Sequence, residues 1–106
     1  MTYYDKLVRD KIPEKIEKNG EIAITRTLND DEFKLYLEKK LLEEVKEVID
    51  GSKENKLEEL ADLYEVIITY ARIYKINLED IINQAKEKNN LRGSFNKKIL
   101  LIETKK

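Results

Sequence analysis

The chain has 106 residues, of which 41% are charged and 41% hydrophobic, so we predict one soluble domain over residues 1–106 with a modest core. Its formal net charge is −1 with both signs interspersed, which excludes a general attraction to nucleic acid or to an anionic membrane. The absence of cysteine and histidine excludes disulfides, thiolate nucleophiles, Ser-His triads and imidazole ligands. Carboxylates remain as metal ligands, and they suit Mg²⁺ or Mn²⁺.

The predicted elements begin with a short helix. It opens at Ile12-Pro13 and ends at Asn19-Gly20. Residues 21–28 alternate apolar and polar side chains, which predicts a strand, and residues 98–103 could form a second strand that pairs with it. Since no apolar run has membrane-spanning length and the N-terminal region has no apolar signal core, we expect a cytoplasmic protein.

Three longer helices are predicted between the two strand-like segments. Each begins after a residue that can cap the first turn with its side chain. The predicted helices are 29–50 with Asn29 and Glu32 as a capping box, 53–75 with Ser52 as cap after Gly51, and 77–90 with Asn77 and Asp80 as a second capping box.

The two longest predicted helices differ in their apolar patterns. The first has a single apolar stripe, whereas the second is apolar around most of its circumference and has to be covered on more than one side. We therefore predict a mainly all-α helical bundle of two long antiparallel helices plus shorter ones, completed by oligomerisation. The stripe of the first helix contains Phe33, Leu37, Leu41, Val45 and Val48.

Two pairs of acids, each three positions apart, flank the predicted turn. Glu44 and Glu47 precede it, and Glu59 and Asp62 follow it. The spacing alone is weak evidence, because 22 Asp and Glu in this chain give roughly four such pairs by chance. Position says more: Glu59 projects into the apolar sector of its helix and Glu44 borders the apolar stripe. A carboxylate that faces a bundle interior needs a cation or several hydrogen bonds, so the four acids are candidate metal ligands.

An ordinary structural interpretation is equally open at this point. In it, Glu47 and Asp62 are solvent-exposed acids, while Glu44 pairs with Lys40 and Glu59 with Lys56.

The acid motifs resemble a known group of enzymes. An E-x-x-E motif followed by an E-x-x-D motif across a helix-turn-helix is similar to the all-α nucleoside triphosphate pyrophosphohydrolase superfamily. The segments YDKLVRDKIPEKIEKNG and KEKNNLRGSFNKKILLIE resemble the MazG-like, phosphoribosyl-ATP-pyrophosphohydrolase-like small proteins. Together these segments extend the resemblance over nearly the whole chain.

The resemblance implies Mg²⁺-dependent cleavage of a nucleoside triphosphate between its α- and β-phosphates, by a helical bundle that is complete only as a dimer or higher oligomer. It implies Glu44, Glu47, Glu59 and Asp62 as metal ligands. A carboxylate that is not fully used as a ligand can orient or deprotonate water, and Glu47 is the candidate.

Basic residues in the two family-like segments are candidates to bind the substrate phosphates. Arg binds phosphate bidentately and Lys acts as a point charge. For each of them the alternative is a solvated surface charge, and Asp10 is an alternative partner for Arg9. The candidates are Lys6, Arg9, Lys11, Lys88 and Arg92.

The sequence therefore predicts a nucleotide pyrophosphohydrolase, with a role in removing unwanted nucleotides. An alternative from another class is a non-catalytic helical dimerisation module that binds through its apolar face. A family member that binds nucleotides without cleaving them is a third option, against which the intact acid quartet argues.

Overall fold

The computed structural model describes residues 3–106, which form helices joined by short connections and extended segments. The described residues contain four α-helices and no strand. They fall into two compact units, one ending at Lys75 and the other comprising Ile76–Lys106. The helices are α1 (Ile12–Lys18), α2 (Asp30–Asp50), α3 (Lys56–Ile73) and α4 (Leu78–Arg92), with a 3₁₀ turn at Lys53–Asn55 before α3.

The two predicted strands are wrong. Residues 21–28 and 98–103 make no strand pairing in the described part of the chain. Ile24 is 93% exposed and Ile102 85% exposed, so neither segment buries its apolar side chains. Alternation of β-branched residues favours extended backbone, but a strand also needs a hydrogen-bonded neighbour, which local sequence cannot supply.

Both predicted capping boxes are confirmed. Asn29 Oδ1 accepts from the backbone N–H of Glu32 at 2.9 Å, and the Glu32 carboxylate accepts from the N–H of Asn29 at 3.3 Å. Asn77 and Asp80 repeat this exchange at 3.0 and 3.1 Å. Each box satisfies two helix-terminal groups, so it fixes where α2 and α4 begin.

The start of α3 differs from the prediction. Ser52 makes no side-chain capping bond. Instead the ammonium of Lys56 donates to the backbone carbonyls of Val48 and, at 3.2 Å, Ile49. These carbonyls belong to the last turn of α2, which has no basic residue of its own. Lys56 therefore supplies the cation that the negative end of the α2 dipole favours and ties the two helices together.

Helices α2 and α3 pack against each other. The Tyr70 hydroxyl donates to Glu38 at 2.8 Å, and the Lys34 ammonium lies 5.5 Å from the centre of the Tyr74 ring. From the start of α3 to its end, Lys56, Tyr70 and Tyr74 contact α2 in turn. Their partners on α2 follow in the reverse order of the sequence: Val48 and Ile49, then Glu38, then Lys34. The buried apolar residues of the unit that ends at Lys75 are Leu37, Val66, Ile68 and Ala71.

One side of α3 is left uncovered by the rest of residues 3–106. Leu57, Leu60, Tyr64 and Ile67 follow one another at spacings of three and four residues, and they are 81%, 50%, 48% and 40% exposed. Helix α2 packs against α3 but leaves these four side chains exposed, although Val66 and Ile68, about 200° apart around the helix, are both buried.

No helix within residues 3–106 has both the length and the apolar character needed to cross a membrane.

Candidate metal centre

Glu44 is the most buried of the four acids. It is 5% exposed, and its Oε2 atom has no hydrogen-bond partner among residues 3–106. Leu37, Leu41, Glu44 and Val48 are separated by four, three and four residues, so they lie along the seam that α3 covers. The sequence placed Glu44 at the border of the apolar stripe; the structure places it inside.

Two acids of α3 converge on Glu44. Glu44, Glu59 and Asp62 each offer one carboxylate oxygen such that the three atoms lie within 4.8 Å of one another. Glu59 and Asp62 are partly exposed and lie one helical turn apart, so they face the same side of α3. The α2–α3 packing therefore brings together three of the four predicted ligands.

Glu47 is exposed and lies beside this group rather than within it. Its carboxylate is close enough for its charge to raise the pKa of both Glu44 and Glu59. Because Glu47 is more exposed than the other three acids, its carboxylate is suited to contact a water molecule next to an ion bound by them.

The environment of the cluster disfavours negative charge. Burial, followed by the charge of Glu47, raises the pKa of Glu44, although the Lys40 ammonium opposes this change. Burial also raises the pKa of Glu59, and the charges of Glu47 and Asp62 add to the effect. Carboxylates that repel one another become stable as anions when a cation joins them.

The salt-bridge interpretation of these acids is correct for one pair. The Lys40 ammonium lies 3.5 Å from Glu44 Oε1. Lys56 instead caps α2, so Glu59 has no lysine or arginine partner within salt-bridge distance among the described residues. Lysine pairing therefore leaves Glu44 Oε2 and the Glu59 carboxylate without a cation.

Gly51 makes room for Glu59. A Cβ atom at this position would lie 2.8 Å from the Glu47 carbonyl oxygen and 3.2 Å from Glu59 Cγ. Its backbone angles, φ −65° and ψ 151°, are open to any residue, so close approach rather than conformation requires glycine here. The sequence suggested only that Gly51 ends the helix.

Arg9 reaches the cluster from the segment before α1. Its Nη2 atom donates to Asp62 Oδ1 at 2.8 Å. The partner of Arg9 is thus Asp62 rather than Asp10. No sequence signal connects residues 53 positions apart, so this contact was missed.

The other predicted phosphate-binding residues lie in two places. Lys6 lies 5.7 Å from the centre of the Tyr4 ring, and Lys11 is exposed just before α1. Lys88 and Arg92 belong to the second unit, where both line an open depression near the end of α4 that also includes Phe95.

The cluster fits a hard divalent cation by its donor set. It offers only carboxylate oxygens, the ligands that Mg²⁺ and Mn²⁺ prefer, and it contains a buried oxygen that no group in the described part of the chain satisfies. Glu44, Glu59 and Asp62 are the residues that could hold the ion.

Comparison with known proteins assigns the chain to a family. The model of the MazG nucleotide pyrophosphohydrolase domain family matches residues 34–94, more than half of the chain and a range that contains all four acids. An uncharacterized protein of Mycolicibacterium smegmatis is 52% identical over 42 residues, which are 40% of this chain and 43% of that protein. The match thus spans less than half of that relative's length. No solved structure matches.

Proposed function

The chain belongs to the MazG nucleotide pyrophosphohydrolase domain family, and on this premise we propose that it is a Mg²⁺-dependent nucleoside triphosphate pyrophosphohydrolase. The proposed reaction cleaves between the α- and β-phosphates and gives a nucleoside monophosphate and pyrophosphate. Its proposed role is the removal of unwanted nucleotides in the cytoplasm.

The buried carboxylate of Glu44 is the observation that carries this proposal. The carboxylate of an ordinary surface acid has both oxygens in contact with water. Glu44 Oε2 is instead buried beside Glu59 and Asp62, with no hydrogen-bond partner among the described residues. The Lys40 ammonium lies 3.5 Å from Glu44 Oε1, so a cation at Oε2 would offset the remaining cost of burying this carboxylate. The arrangement therefore supports metal binding over a pure interaction module.

The positions of the four acids suggest different roles for them. Glu44, Glu59 and Asp62 would hold the ion, with Glu47 as a further ligand or as the group that orients and deprotonates the attacking water. When bound, Mg²⁺ neutralises phosphate charge and activates water for in-line attack at phosphorus. Glu47 suits the water because it is the exposed member of the quartet.

The remaining phosphate charge requires basic side chains. Lys6, Arg9, Lys11, Lys88 and Arg92 are proposed for this role, and all five are exposed or partly exposed and hence accessible to a ligand. Arg9 has the strongest support, since its guanidinium already contacts Asp62.

The bundle is proposed to be completed by a second copy of the chain. Helices α2 and α3 would form an antiparallel pair, and the uncovered stripe of α3 at Leu57, Leu60, Tyr64 and Ile67 would pack against its counterpart. Spacings of three and four residues are those of helix–helix seams.

Phosphorus NMR of a panel of nucleoside and deoxynucleoside triphosphates tests the activity. With protein and Mg²⁺ we expect monophosphate and pyrophosphate, and with EDTA no turnover. Glu59→Gln should abolish the reaction, whereas Glu43→Gln, an exposed acid next to Glu44, should retain it. Diphosphate and orthophosphate as products would refute the proposed bond. Turnover that persists in Glu59→Gln would refute the proposed site.

A further inference from the structure

The ion pair between Arg9 and Asp62 joins the segment before α1 to the acid cluster. Arg9 Nη2 lies 2.8 Å from Asp62 Oδ1. The backbone holds Arg9 in place, because its carbonyl accepts from the N–H of Ile12 at the entry to α1, at 3.1 Å. The Arg9 and Asp62 side chains are 58% and 46% exposed, so the pair lies in contact with water.

This pair occupies a carboxylate that belongs to the candidate metal centre. Asp62 is one of the three acids whose oxygens converge within 4.8 Å, and Arg9 is the guanidinium that neutralises it. A divalent ion held by the same group would lie close to Arg9 and repel it. An exposed ion pair is weak and is therefore readily exchanged.

Arginine is suited to a second partner. Its planar guanidinium binds phosphate oxygens through two parallel hydrogen bonds, as it binds a carboxylate. Lys11, two residues further along, makes no ion pair with the described part of the cluster. Among the phosphate-binding candidates, Arg9 is thus the one whose side chain contacts the acid cluster, through Asp62.

Resting on the proposed function, we propose that Arg9 exchanges partners during binding: it holds Asp62 in the metal-free protein, and a divalent cation at Asp62 releases it to bind a phosphate group of the substrate. Metal and Arg9 then compete for Asp62. Phosphate and Asp62 compete for Arg9. Because coupling between two binding events is reciprocal, the metal strengthens phosphate binding and phosphate strengthens metal binding.

Calorimetric titration of Mg²⁺ into three proteins in phosphate-free buffer tests the competition. Arg9→Ala should bind Mg²⁺ roughly two- to fivefold more tightly than wild type, since it loses a competing cation. Arg26→Ala is the matched control, because Arg26 also forms an exposed 2.8 Å pair with an acid, Glu32. Glu32 lies 12 residues before Glu44 on α2, about 18 Å along the axis, so this variant should match wild type.

The outcomes separate the two proposals. Equal or weaker Mg²⁺ affinity in Arg9→Ala, with binding intact in wild type, overturns the exchange and leaves the proposed function standing. Failure of wild type to bind Mg²⁺ or Mn²⁺ overturns both. Circular dichroism of each variant establishes that the helices are retained.

Side-chain NMR of nitrogen-labelled arginine follows the exchange in the wild-type protein, where folding is not in question. The Arg9 Nε–H signal, assigned by its loss in Arg9→Ala, should move toward the position of a free guanidinium on saturation with Mg²⁺. Pyrophosphate, added with Mg²⁺ in excess, should move it again. An Arg9 signal that Mg²⁺ leaves in place while calorimetry shows Mg²⁺ binding overturns the proposal.

Discussion

Glu44 combines a buried carboxylate with an oxygen that no protein group satisfies. Its replacement by glutamine removes the charge while nearly preserving the shape. We expect Glu44→Gln to be at least as stable as wild type in EDTA, because the cost of burying the charge and the repulsion from Glu47 are relieved and together outweigh the lost attraction to Lys40. The stabilisation by Mg²⁺, about 2.7 kcal/mol at a concentration one hundred times Kd, should be lost. Thermal unfolding with and without Mg²⁺ measures both effects.

The control for this prediction is Glu43→Gln, which removes an exposed acid one position away. It should keep the full response to Mg²⁺. A Glu44→Gln protein that Mg²⁺ stabilises as much as wild type would show that Glu44 is not a ligand.

The pH dependence of the metal-free protein follows from the raised pKa values of Glu44 and Glu59, whose ordinary value is 4.5. Between the ordinary and the raised values, the folded state binds more protons than the unfolded state. The free energy of unfolding contributed by these groups therefore falls as pH rises from about 4.5 through the raised values. In urea unfolding with EDTA, the free energy of unfolding of Glu44→Gln should rise relative to that of wild type as pH increases from about 4.5 through the raised pKa values. A constant difference between the two proteins would contradict the prediction.

The turn between α2 and α3 determines whether the acids of the two helices meet. Gly51 leaves the space that Glu59 fills, and a methyl group there would meet Glu59 Cγ and the Glu47 carbonyl. We expect Gly51→Ala to cost about 1–3 kcal/mol in unfolding free energy by overpacking, and to weaken Mg²⁺ binding by displacing Glu59. Urea unfolding and calorimetry provide the two measurements.

Ser52→Ala is the matched variant in the same turn. Ser52 makes no capping bond, so this change should leave both stability and Mg²⁺ affinity near the wild-type values. Equal effects of the two substitutions would mean that general disturbance of the turn, rather than contact with Glu59, explains the loss.

Helix boundaries and strands show where local sequence suffices. The starts of α2 and α4 were predicted because a capping box lies within four consecutive residues and needs no other part of the chain. The strands at 21–28 and 98–103 were wrong because pairing depends on a distant segment. The role of Lys56 at the end of α2 was missed for the same reason, since it requires the next helix to fold back.

The uncovered stripe on α3 bears on the oligomeric state of the protein. If two copies of the chain join through it, a charge at its centre should separate them. We expect Leu60→Lys to lower the oligomer mass measured by analytical ultracentrifugation, because an ammonium cannot be buried in an apolar seam. Leu42→Lys, which changes a 73% exposed leucine of α2, should leave the mass unchanged. A monomeric wild-type protein would refute the proposed bundle.

The sequence by itself determined the helical character, the starts of α2 and α4, the absence of thiol and imidazole ligands and the family, because composition, caps, periodicity and motifs are local or strictly spaced. The tertiary structure alone decided that Glu44 is the buried acid, that Glu47 lies beside the group formed by the other three acids, and that Arg9 reaches Asp62. These contacts arise when α3 folds against α2 and the N-terminal segment crosses to α3. Distances across such contacts depend on packing, which no local pattern of residues encodes.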